Sequence, residues 1–183
     1  MWKKFCGFIL KVWGWKTDPF LPPEDKCILL GVPHTSMLDF VVAYLFYQSI
    51  GGKSYCMVKS TLFFPPLGWI VRAMGGVPVD RKHPGSVVRS VLHEMESKKV
   101  FHLAIAPEGT RQPVRHWKTG YHYIAQAAGI PVYLCCFDWK RRKVAVLEKF
   151  ELTSDANADT RRMQEIYEKM DLGARFPQNY LTR

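Results

Sequence analysis

Apolar and basic positions recur with a helical period along the first residues of the chain, MWKKFCGFILKVWGWK. At about 100° per residue, Trp2, Phe5, Ile9, Val12 and Trp13 share one face and Lys3, Lys4 and Lys11 the opposite one. Pro19, Pro22 and Pro23 break that helix and make a short connector. Beyond it the pattern changes. Compact apolar runs at 26–32 (KCILLGV) and 54–59 (SYCMVK) read as buried strands, as do VPVD at 77–80 and VFHLAIA at 100–106. Helical patterns fill the intervals: Ser36 to Ile50, closed by Gly51-Gly52; short pieces split by Pro65-Pro66; 84–98, with proline near its start; and 117–128, stopped by Gly129. IPVYLCCFD and KVAVLEKF flank the basic turn WKRRK as an antiparallel pair of strands, and residues 158–171 form a last helix. Strands alternating with helices predict a single-domain α/β fold, with a mixed, mostly parallel sheet flanked by helices. An amphipathic helix over residues 1–17 precedes the domain proper at 18–183.

Composition narrows the partners. With 26 Lys and Arg against 16 Asp and Glu, the net charge of +10 points to an acidic partner: nucleic acid, an anionic membrane or a phosphorylated substrate. An aromatic content of 14%, with six Trp, favours a membrane interface, where amphipathic rings settle. The basic residues are scattered and no recognition motif accompanies them, so no nucleic-acid partner is expected. No stretch approaches the ~20 apolar residues that cross a bilayer. The first helix has instead the pattern of one lying in a membrane surface, with Trp2, Phe5, Ile9 and Trp13 as contacts. The competing reading packs that apolar face on the protein's own core. The five cysteines are odd in number and form no C-x-x-C, so neither a disulfide framework nor a zinc site is expected.

The candidate chemistry begins at GVPHTSMLDF (31–40). His34 ends a strand and Asp39 lies in the first turn of the next helix, at the carboxyl end of a sheet, where sites collect. A hydroxyl nucleophile is weak until something takes its proton, and imidazole is the side chain best poised to do so near neutral pH. A carboxylate on the other ring nitrogen would fix the tautomer. Ser36 and Asp39 also form a capping-box pattern, so helix capping explains the same residues equally well. A second stretch, APEGTR (106–111), puts Glu108, Thr110 and Arg111 around Gly109, a composition suited to a phosphate. Arg81, closing GGVPVDR, and Lys118, ahead of a helix, are further candidate anion contacts, although each also reads as an ordinary surface charge.

Taken in order, H-x4-D (His34, Asp39), a glycine-to-Asp80-Arg81 block, E-G-T-R (Glu108–Arg111) and a G-I-P-V strand start (Gly129–Val132) resemble the blocks of the glycerolipid acyltransferases. That family includes the lysophosphatidic acid acyltransferases, and the separation of His34 from Glu108 is also similar. The resemblance implies a glycerol-3-phosphate acyltransferase-like fold. It implies transfer of a fatty acyl group from acyl-CoA or acyl carrier protein to a lysophospholipid hydroxyl, by default that of 1-acylglycerol 3-phosphate. His34 would be the base and Asp39 its orienting partner. Arg81, Glu108, Gly109, Thr110 and Arg111 would form the acceptor site, with Lys118 added by its position. No cofactor or metal is implied, and the expected location is peripheral, on the cytoplasmic side of the inner membrane. Glycerol 3-phosphate or a lyso-aminolipid as acceptor, and a non-catalytic lipid-binding role on the same fold, are the alternatives. Met37-Leu38 stands where family members commonly carry aromatic residues.

Overall fold

The continuous apolar runs become central strands because helices cover both faces of the sheet. Residues 1–80 and 84–181 are described by a computed structural model. Helix α1 (Trp2–Val12) leads into β1 (Lys16–Asp18), β2 (Lys26–Val32), α2 (Met37–Ile50) and β3 (Ser54–Lys59). A 3-10 turn (Ser60–Leu62), α3 (Leu67–Ala73), β4 (Gly76–Val79), α4 (Pro84–Glu96) and β5 (Phe101–Ile105) follow. The chain continues through α5 (Gly120–Ala128), β6 (Val132–Asp138), β7 (Lys143–Phe150) and α6 (Ala156–Lys169). The sheet has seven strands in the order β1-β7-β6-β2-β5-β3-β4. From β6 to β4 all neighbours are parallel, while β7 is antiparallel to β6 and β1 runs parallel to β7. The expected mixed, mostly parallel α/β sheet is therefore observed.

Side chains alternate along β2, as pleating requires. Cys27 and Leu29 enter one core with Cys6 and Leu10 of α1 and Val42 and Phe46 of α2. Ile28, Leu30 and Val32 enter the other, with Val91 of α4, Ile124 of α5 and Met163 of α6. Tyr167 of α6 pins the two central strands together. Its hydroxyl accepts from Cys135 N–H (3.1 Å), and its proton is within reach of the Leu30 (2.8 Å) and Cys135 (2.9 Å) carbonyls.

Helix α1 is built into this core and also presents an apolar face to solvent. Cys6 and Leu10 are fully covered, and Ile9 and Trp13 pack half-buried against the same cluster. Trp2, Phe5, Phe8 and Val12 stand exposed, beside exposed Lys4 and Lys11. Packing on the protein's own core therefore accounts for one sector of the helix and leaves a second apolar sector exposed. Ile9 and Trp13 lie on the inward side and Phe8 on the outward one.

Three of the differences from the sequence reading have a visible physical cause. β1 adds an exposed edge strand at Lys-Thr-Asp, which has no apolar pattern and forms by pairing with β7. Helix α5 begins at Gly120 rather than 117, because the Pro107 carbonyl takes Lys118 N–H (2.7 Å) and holds the preceding residues against that loop. Helix α6 begins at Ala156 rather than 158, where the Asp155 side chain caps Asn157 and Ala158 N–H.

Candidate active site

Strands β6, β2 and β5 are parallel neighbours, so the loops at their carboxyl ends meet above the sheet. The loop after β2 carries His34, the loop after β5 carries Glu108, and β6 runs out into Trp139. These segments converge on Asp39, which has no exposed surface.

Ser36 N-caps α2, and a full capping box forms with Asp39. Asp39 Oδ2 accepts from the backbone N–H groups of Thr35 and Ser36, both at 2.7 Å. The same oxygen lies 3.4 Å from His34 Nδ1. The oxygen that closes the capping box is thus also the one that faces the His34 ring. Asp39 Oδ1 accepts from the Trp139 indole N–H at 2.7 Å. With Nδ1 turned to Asp39, Nε2 is the ring nitrogen directed away from it, on a side chain that is a quarter exposed.

Glu108 holds His34 from the other side. Its Oε1 accepts His34 N–H at 2.9 Å, tying the loop after β5 to the loop after β2. Its Oε2 is buried and has no hydrogen-bond partner among the described residues. Burial pushes the carboxyl up to about 8, against the lowering effect of the bond from His34 N–H. The side chain can then stay neutral near physiological pH, which lessens the penalty of its unpaired oxygen.

The E-G-T-R loop turns outward at Gly109, whose φ of +69° suits glycine. A Cβ there would meet Lys118 Cγ at 3.0 Å, so Lys118 lies directly against this loop. Thr110 Oγ1 accepts from Gln112 N–H (3.2 Å) and stabilises the turn. Thr110 and Arg111 line an open pocket of about 380 Å³ with Thr35, Ser36, Met37, Gln112, Phe176 and Asn179. The two residues between His34 and Asp39 that depart from the usual pattern separate here: Met37 lines this pocket, and Leu38 packs on the α1–α2 core.

The structure thus brings His34, Asp39, Glu108, Gly109, Thr110 and Arg111 together, with Lys118 alongside. Arg81 lies outside the described residues. Sequence reasoning missed two participants. Phe176, whose N–H donates to Thr35 Oγ1 (3.2 Å), brings the C-terminal segment to the pocket wall. Trp139 opens the basic turn WKRRK. That turn is in fact organised by buried Asp138, whose Oδ1 accepts from Lys140, Arg141 and Gly173 N–H. An indole set among charges was the available signal. Among the described residues no group of three or more His, Cys, Asp or Glu is placed to hold a metal ion.

The sequence model of the acyltransferase family matches residues 18–138. No curated protein matches the chain. The crystal structure of the 1-acyl-sn-glycerophosphate (LPA) acyltransferase PlsC from Thermotoga maritima is similar, with a TM-score of 0.61 at 17% identity. The match covers 92% of this chain and 76% of that one, and it establishes a shared fold.

The Glu108 environment makes a pH prediction. Its carboxyl, at about 8 in the fold against an ordinary 4.5, keeps a proton that the unfolded chain has already lost. This contribution to stability is full below the ordinary value and disappears as the pH rises through about 8. Glu108→Gln cannot titrate. Between about pH 5 and 9, the thermal midpoint of the unmodified protein should fall relative to that of the variant; parallel profiles would contradict this account.

Proposed function

This chain belongs to the acyltransferase family, and on that premise we propose that it acylates a lysophospholipid hydroxyl, using acyl-CoA or acyl carrier protein as donor. The first candidate acceptor is 1-acylglycerol 3-phosphate, in keeping with the activity named for the similar Thermotoga protein. The observation that carries the reading is a partly exposed imidazole anchored twice, by Asp39 on its ring and by Glu108 on its backbone, beside a pocket lined by Arg111.

In this mechanism the acceptor hydroxyl gives its proton to His34 Nε2 while its oxygen attacks the thioester carbonyl carbon. The carbon–sulfur bond breaks, the departing thiolate takes the proton from His34, and an ester replaces the thioester without a covalent acyl-enzyme. Asp39 holds the ring and stabilises the imidazolium that forms. Arg111, with Arg81 and Lys118, holds the acceptor's phosphate, since guanidinium groups bind such oxygens in pairs. Glu108, Gly109 and Thr110 shape the acceptor site. Met37 contributes an apolar wall on the side where the acyl chain would lie.

The protein acts from the cytoplasmic side of the inner membrane as a peripheral enzyme. Among the described residues no helix is long and apolar enough to cross a membrane. The exposed Trp2, Phe5, Phe8 and Val12 face of α1 enters the lipid surface, and Lys4 and Lys11 meet anionic headgroups. The exposed Leu62, Phe64, Trp69 and Ile70 form a further apolar contact.

Two experiments test this reading. Thiol release from acyl-CoA and from acyl carrier protein is followed with a panel of lyso-acceptors. His34→Ala should lower it by on the order of 100- to 10,000-fold, leaving the fold and vesicle binding intact; full activity would refute the mechanism. A wild-type chain that binds lysophosphatidic acid but releases no thiol with any acceptor would instead be a lipid-binding protein. Separately, Phe8→Glu should weaken co-sedimentation with anionic vesicles without lowering the melting temperature, because Phe8 is 63% exposed. Undiminished binding would remove α1 from the membrane contact.

A further inference from the structure

The Asp39 carboxylate has two oxygens, and they are held by different parts of the fold. Oδ2 is fixed by two N–H groups of its own helix start and faces His34. Oδ1 is held by Trp139, a residue 100 positions away in sequence. The terminal torsion of an aspartate is soft, so anchoring one oxygen leaves the carboxylate plane free to swing. A second anchor on the other oxygen is what aims the first.

Trp139 is itself rigidly placed. It is 8% exposed, and its ring lies edge-on to Trp15 (4.9 Å between centroids) and Trp13 (6.1 Å). The guanidinium groups of Arg175 (4.9 Å) and Arg142 (5.6 Å) sit over it. Its backbone N–H donates to the Gly173 carbonyl at 2.7 Å. An indole offers one donor and no acceptor, so the bond to Asp39 is the whole of this side chain's hydrogen-bonding capacity. Burial alone does not require the pairing. Trp15 and Trp117 both bury their indole N–H groups with no partner among the described residues. The fold tolerates an unpaired indole elsewhere and directs this one at the carboxylate that faces the histidine.

We propose that Trp139 is a positioning residue: its indole N–H, bound to Asp39 Oδ1, keeps Oδ2 against His34 Nδ1 and so keeps the proton on Nδ1 and the base at Nε2. Its kinetic consequence rests on the acyl-transfer reading; its structural consequence does not. The anchor joins three distant pieces of chain, the exit of α1, the end of β6 and the C-terminal segment, at the carboxylate that faces the His34 ring.

The test compares the intact protein with Trp139→Phe, which keeps an aromatic ring and removes the donor. Turnover with acyl-CoA and 1-acylglycerol 3-phosphate should fall about ten- to a hundredfold, with KM for the acceptor changed by no more than about twofold. A residue that merely supports the fold would lower stability without this split. Nitrogen-15 NMR of the His34 ring, assigned with His34→Ala, should show the Nδ1–H tautomer in the intact protein and an appreciable Nε2–H population in the variant. An unchanged tautomer overturns the proposal whatever the activity does. A wild-type chain inactive with every acceptor would refute acyl transfer, and the tautomer comparison would still decide the role of Trp139. Should Trp139→Phe fail to fold, Asp39→Ala reads the same bond from its other end. The Trp139 indole proton should then move upfield and exchange faster with water, and a proton that stays in place overturns the proposal.

Discussion

A carboxylate removed from water must receive its partners from the protein, and much of the site's arrangement depends on how Asp39 receives them. Leaving such a group unpaired would destabilise the fold by several kcal/mol. Two donors come from the turn that starts α2 and one from the end of β6. They can meet because β2 and β6 are parallel neighbours whose ends lie side by side. The hydrogen bonds that compensate this burial leave one oxygen of Asp39 facing His34. Helix capping and the approach of Asp39 to the His34 ring are two consequences of one buried carboxylate.

Glu108 complements this arrangement in the opposite electrostatic sense. Both acids are buried beside His34, yet Asp39 is surrounded by N–H donors while Glu108 receives one from His34 and has an oxygen with no partner among the described residues. Burial accordingly drives Glu108 toward its neutral form. Two ionised carboxylates flanking one histidine would repel each other, and a neutral Glu108 removes that repulsion while still accepting from the His34 backbone. The environments of the two acids separate a group that faces the imidazole ring from one that fixes the loop carrying it.

The sequence disclosed these features unevenly, for physical reasons. The spans of β2 and β3 were legible to the residue, because both are compact runs bounded by turn residues. β1 was invisible, since Lys-Thr-Asp is exposed and becomes a strand only by pairing with β7. Helical periodicity gave α1 a broad apolar face but could not say which sector meets the core; hence the inward Ile9 and Trp13 and the outward Phe8. His34, Asp39 and the E-G-T-R residues were found because their spacing along the chain is itself a pattern. Trp139 was not, because its partner is 100 residues away and only the order of strands in the sheet brings them together.

The central claim is that the acceptor hydroxyl, activated by His34, attacks the thioester directly. The most direct measurement mixes the protein with acyl-CoA before any acceptor is present, following free thiol and intact protein mass on the timescale of a single turnover. Direct attack predicts no stoichiometric release of thiol and an unchanged mass until a lyso-acceptor is added, after which thiol and acylated lipid appear together. A burst of one thiol per protein, with the mass raised by the acyl group, would contradict the account and place a covalent acyl-enzyme on the path.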